Sequence, residues 1–113
     1  KAEKNRVMEE RLLAASLVPM TIMEKAAEVL GLVEVLEQKG SKMAVSDAGV
    51  AAQFARAALT GAVMNVYINT KSMKNREKAE ELNAKADKLL ADGMKLADEI
   101  YDRVLNKLTG GKA

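Results

Sequence analysis

The segment M-A-V-S-D-A-G-V-A-A-Q-F-A-R-A-A-L-T-G-A-V-M-N-V-Y-I-N-T-K-S-M-K, from Met43 to Lys74, decides the fold. Ser46-Asp47 reads as a helix start, and the amides Asn65 and Asn69 close the run before a short basic loop. Between them Arg56 is the only charged side chain, and Ala and Gly dominate. A helix with so little charge is not built for the surface. At about 100° per residue, Asp47 and Asn65 project from one line, and Phe54, Ala58, Gly61 and Asn69 fall within about 40° of it. Small residues there let another backbone come close. Asp and Asn are costly to bury unless something pairs with them, so the reading expects a partner group facing them.

Outward from this stretch the chain reads as helix on both sides. A first helix over roughly Ala2 to Leu17 carries Val7, Met8, Leu12 and Ala15 on its apolar side. Val18-Pro19 is expected to break it, with Pro19 in the first turn of a second helix reaching about Gln38 and stopped by Gly40. In that second helix Met20, Met23, Ala27, Leu30 and Glu34 share one line, and Gly31 suggests a close neighbour. After the loop, Asn75 is positioned to cap a last helix reaching about Leu108, ended by Gly110-Gly111, with Thr109 to Ala113 as a tail. Its Leu82, Ala86, Leu89, Gly93, Leu96 and Ile100 step by four and three, a seam for packing along another helix. Glu81 with Lys85, and Glu99 with Arg103, are spaced for pairing along that helix. With no strand pattern, the expected fold class is all-α, a bundle of long helices in up-and-down order. Such a bundle reads as an incomplete domain that packs with a partner chain, as a homodimer or larger assembly.

Composition sets the outer limits. The 113 residues are 49% hydrophobic and 30% charged, enough apolar content for a core and room for one domain or part of one. One Phe, two Tyr and no Trp make that core aliphatic, with the seven Met as filler. The net charge of +2 argues against nucleic-acid binding by charge alone. No Cys and no His are present, which removes thiol nucleophiles, disulfides, thiolate metal sites and the usual imidazole base. Chemistry is left to carboxylates, Lys, Tyr, hydroxyls and amides. No apolar run approaches the ~18 residues of a membrane span and no signal peptide is visible, so the expectation is a cytoplasmic protein without a membrane partner.

Three blocks carry a resemblance: V-P-M at Val18 to Met20, K-G-S-K-M-A-V-S-D-A-G-V-A-A from Lys39 to Ala52, and N-V-Y-I-N-T-K-S from Asn65 to Ser72. In order and spacing they resemble the C-terminal half of the cyclodeaminase/cyclohydrolase family. The resemblance implies an all-helical folate enzyme, either formiminotetrahydrofolate cyclodeaminase or methenyltetrahydrofolate cyclohydrolase, with residues 1–113 as the C-terminal part of one domain. The family's Pro-Gly-Gly-Gly-type stretch and the Ala-rich helix at its start are not in this sequence.

On that reading Asp47 is the catalytic acid or base, exchanging a proton with a folate nitrogen or an attacking water. Ser46, Asn65 and Asn69 are substrate-binding candidates, the amides because donors and acceptors on one rigid face suit a heterocycle edge. Lys71, Lys74 and Arg56 are candidates for the anionic glutamate tail. No metal and no cofactor beyond the tetrahydrofolate derivative is implied. Each candidate also has a plain structural reading: Asp47 complements a helix dipole beside the capping Ser46, the Asn pair bridges helices, and the lysines are solvated. The rival to an enzyme is a helical assembly module whose Asp47 to Asn69 face is an interhelical contact.

Overall fold

The computed structural model describes residues 1–110, without the side chains of Lys42 and Met43. Three helices, α1 (Ala2–Lys39), α2 (Lys42–Lys71) and α3 (Arg76–Leu108), run up, down and up, and among the described residues there is no strand. The sequence expectation of an all-α bundle holds, with one helix fewer than the four anticipated. Gly111, expected to help end the last helix, lies outside the described residues along with Lys112 and Ala113.

The missing boundary is Val18-Pro19. Pro19 sits buried inside a continuous α1 instead of breaking it. A proline within a helix has no N–H for the carbonyl four residues earlier, which here is Ala15. That carbonyl accepts a hydrogen bond from Asn69 Nδ2 of α2 at 3.3 Å, and the same amide also donates to Asn65 O at 2.7 Å. Hydroxyls bond back to carbonyls on either side, Ser16 Oγ to Leu12 O at 2.8 Å and Thr21 Oγ1 to Leu17 O at 3.0 Å. The orphaned acceptor is satisfied from the neighbouring helix, so α1 continues.

The start of α2 is also displaced. Ser46-Asp47 lies inside the helix, and the N-cap is Ser41, whose Oγ accepts from Ala44 N at 3.3 Å. Gly40 ends α1 as expected, with its N–H on Leu36 O at 2.8 Å, so only Gly40 and Ser41 connect the two helices. Asn75 caps α3 as expected, accepting from Lys78 N at 3.0 Å. The turn before it is held from two sides. Arg76 donates to the α2 and turn carbonyls of Thr70 and Met73 at 2.8 and 3.0 Å. Glu9 of α1 accepts the N–H groups of Lys74 and Asn75 at 2.8 and 2.9 Å.

The core is aliphatic: Met20, Met23, Leu30, Leu59, Val66 and Ile100 are fully buried, each of the larger ones contributing about 1.5–3 kcal/mol on removal from water. The α3 seam packs inside the chain, with Leu82, Ala86, Gly93 and Ile100 buried. Close approach of α2 and α3 depends on two glycines. A Cβ on Gly93 would run into Leu59, and one on Gly49 would lie 2.8 Å from Val104 Cγ1. Gly31, expected to have a close neighbour, has none within 4 Å of a built Cβ.

The expected local ion pairs of α3 give way to longer ones. Arg103 pairs with Glu34 and Glu37 of α1, and Lys85 with Glu24 at 3.0 Å. The outward face of α3 is charged. Large apolar side chains are exposed along α1 and α2: Leu32 is 67% exposed, Phe54 74%, Met64 70% and Ile68 67%. Met64 among them departs from the expectation that the methionines are core filler. No described helix is long and apolar enough to cross a membrane.

Candidate functional site

Ser46 and Asp47 stand in the second turn of α2, near the end of the bundle where α3 finishes. Ser46 is half-buried and borders a cavity of about 310 Å³ between α2 and α3. The walls are mostly apolar, from Val50, Phe54, Tyr101 and Leu105, with Gln53 and Ser46 as the polar residues. A few polar groups in an apolar cleft of this size is the usual make-up of a small-molecule site. Asp47, one residue on, points to solvent and does not line the cavity. Among the described residues, none supplies the partner group expected to face it.

A second cavity of about 520 Å³ opens at the same end, lined by Glu37, Gln38, Gly40, Val45, Lys107 and Leu108. Leu108 borders both. Glu37 is 1% exposed and accepts from Arg103 Nε at 2.6 Å and from Lys107 Nζ. Burial opposes its ionisation, but the hydrogen bonds from Lys107 and Arg103 outweigh that and hold the carboxyl below the usual carboxylate range. The guanidinium of Arg103 is pushed up by the bond to Glu37. Sequence reasoning passed over Glu37 because its partners lie 66 and 70 residues away. The one available signal was an acid on the buried side of an apolar helix stripe.

The remaining candidates are remote from Asp47. Asn65 is eighteen residues on, about 27 Å along the helix axis at 1.5 Å per residue, and Lys71 about 36 Å. Shared angle is not shared place. Asn65 is exposed, Asn69 is half-buried with its amide donated to Ala15 and Asn65 carbonyls, and Lys71 is exposed in the last turn of α2. Arg56 lies on the other side of α2, where Nε donates to Asp98 of α3 at 2.9 Å. Within one chain these residues form no single cluster with Asp47.

Beside the amide end, two polar pairs join α2 to α3. Thr70 Oγ1 donates to Asn83 Oδ1 at 2.7 Å, and Tyr67 donates its hydroxyl to Asp87. Burial and the Asp87 carboxylate push the Tyr67 phenol up to about 12. A phenol held that firmly protonated is a hydrogen-bond donor, not a base at neutral pH. Tyr67 lies inside the N-V-Y-I-N block and went unread, since its partner is twenty residues away on another helix.

Residues 1–88 match a family model described as Formiminotransferase-cyclodeaminase. The chain is also similar to a methenyltetrahydrofolate cyclohydrolase of Methylorubrum extorquens (strain AM1), 37% identical over 108 residues. That alignment takes in 96% of this chain and 52% of the relative, so the chain spans about half the length of the curated relative it matches. With more than half of its residues inside the family match, and the three sequence blocks within that range, the chain belongs to the formiminotransferase-cyclodeaminase family.

Proposed function

We propose that the chain is part of a folate one-carbon enzyme that hydrolyses 5,10-methenyltetrahydrofolate to 10-formyltetrahydrofolate. The observation that carries this is the 37% identity, over 96% of the chain, to a protein named methenyltetrahydrofolate cyclohydrolase. In this reaction water adds to the electrophilic methenyl carbon between two nitrogens, a base takes one proton, and the other passes to N5 as its bond to that carbon opens, leaving the formyl group on N10. Asp47 is assigned the proton transfer, because an exposed carboxylate beside a cleft is open to both water and substrate. Ser46 contributes a hydroxyl to the apolar cavity, whose walls suit a flat heterocycle.

The binding roles follow from distance. Asn65, Asn69 and Lys71 lie too far along α2 to meet Asp47 on one substrate atom, so they join the same site only from a second copy of the helix. Arg56, held by Asp98, gives up that ion pair to reach a glutamate tail. The family description favours a second reading, cyclisation of formiminotetrahydrofolate with release of ammonia, in which Asp47 acts as the acid that protonates the leaving group.

Loss of the methenyltetrahydrofolate absorbance band at neutral pH tests the first reading. Decay faster than a protein-free blank, slowed about 10²–10⁴-fold by Asp47→Asn, is the expected result. Decay equal to the blank, with ammonia released from formiminotetrahydrofolate, would move the assignment to the cyclodeaminase.

A further inference from the structure

The cavity beside Ser46 takes one wall from the last turns of α3, where Tyr101, Val104, Leu105 and Leu108 border it, and α1 contributes no residue to its lining. Val104 is seated on α2, so close over Gly49 that a Cβ there would lie 2.8 Å from its Cγ1. One turn further on, α3 ends. Leu108 is its last residue and 55% exposed, and the Thr109 N–H closes the helix on Leu105 O at 2.9 Å. Helix ends fray, because their last carbonyls have no partner within the helix. A cavity wall placed there needs a hold from elsewhere.

That hold comes from α1. Arg103 and Lys107, one turn apart, stand about 130° round α3 from the middle of the wall, and both reach Glu37 in the last turn of α1. Arg103 Nε donates to Glu37 Oε1 at 2.6 Å, and Lys107 Nζ donates to Oε2 and, at 3.1 Å, to the Glu37 carbonyl. Arg103 also donates to Glu34 at 3.2 Å. Glu37 is buried, with each carboxylate oxygen given to a different turn of α3. An apolar contact would hold the two helices together at many rotations, since burial has no direction. Hydrogen bonds from charged donors set distance and direction. Two of them, made to successive turns, fix both the rotation of α3 and its height along α1. A buried carboxylate carries a desolvation cost, so its distinctive effect here is register more than adhesion.

We propose that Glu37 is a positioning residue for the cavity beside Ser46: acting through Arg103 and Lys107, it holds the α3 wall where the substrate requires it. The proposal rests on the assignment of that cavity to the folate substrate. Glu37 lines the neighbouring cavity and not this one, so its effect is transmitted through α3.

Two measurements on the 113-residue chain test it, using Glu37→Gln, Lys107→Met, their combination, and Gly93→Ala as a variant destabilised away from these bonds. All are made at a temperature where circular dichroism shows every variant folded. In turnover of methenyltetrahydrofolate, or of formiminotetrahydrofolate if that is the one converted, Glu37→Gln is expected to raise KM about tenfold with kcat little changed, as loss of substrate binding does. Lys107→Met is expected to raise KM as well, and the combination by less than the product of the two, because both break one hold. Loss of folded chain does the reverse, lowering kcat and leaving KM unmoved, and Gly93→Ala is expected to leave KM unmoved. Amide exchange reads the wall without substrate: Leu105, Leu108 and Thr109 are expected to exchange about tenfold faster in Glu37→Gln and not in Gly93→Ala. Unchanged exchange at those three amides would overturn the hold itself, and faster exchange with an unmoved KM would overturn the positioning role. An unaltered chain that converts neither folate would overturn that role together with the folate reading, and the exchange result would still tell this failure from a failed hold.

Discussion

Asn69 shows how one side chain can carry a polar group's whole account. The N-V-Y-I-N block presents it as an amide available to a ligand, and its plain alternative was a bridge between helices. In the structure both of its N–H groups go to backbone carbonyls, one of them the acceptor that Pro19 leaves open. Asn69→Ala is therefore expected to cost about 1 kcal/mol in urea unfolding. In a Pro19→Ala background, where the new N–H serves Ala15, the cost is expected to shrink, and the coupling from that double-mutant cycle is the quantity to measure. Glu37 gives the pH dependence. Its folded pKa is depressed, so its contribution is present above the unfolded carboxylate value and is lost as pH falls through the folded one. Thermal melts are expected to show stability declining on the acid side, and Glu37→Gln to cost about 1–3 kcal/mol at neutral pH while flattening that decline.

At the level of the helices, periodicity and capping chemistry were readable where the cause is local. Gly40 stops α1 and Asn75 starts α3 through bonds to residues three or four positions away, and the aliphatic core and the α3 seam follow from composition and spacing. What escaped depends on residues distant in sequence. The fusion of the first two expected helices depends on an amide fifty-four residues away. The start of α2 was misplaced because both Ser41 and Ser46 are good caps, and nothing local discriminates between them. Candidate site residues shared a helical angle, which the sequence reveals, but not a position along the axis that one substrate could span. The glycines separate by surroundings in the same way. Gly93→Ala is expected to destabilise by about 1–3 kcal/mol by forcing Leu59 aside. Gly31→Ala, with open space and helical backbone, is expected to stabilise by up to about 1 kcal/mol. Opposite shifts in the denaturation midpoint would verify the contrast.

Taken whole, the molecule has a charged side built by α3 and exposed apolar side chains along α1 and α2, with the cavities beside Ser46 and Glu37 at one end and the Tyr67–Asp87 and Thr70–Asn83 pairs toward the other. Glu9 adds a property of the entire chain. Hydrogen bonds from the Lys74 and Asn75 N–H groups lower its pKa, and it reaches them across 65 and 66 residues, so the contact closes the path from the first helix to the last. The two-residue link between α1 and α2 lets that hairpin assemble early, because little chain entropy is lost in closing it. The Glu9 clasp can form only once the turn after α2 has its final shape. Amide exchange at Lys74 and Asn75 thus becomes a reporter of completed tertiary structure: protected in the native chain, and released in Glu9→Ala while the interior of α2 stays slow.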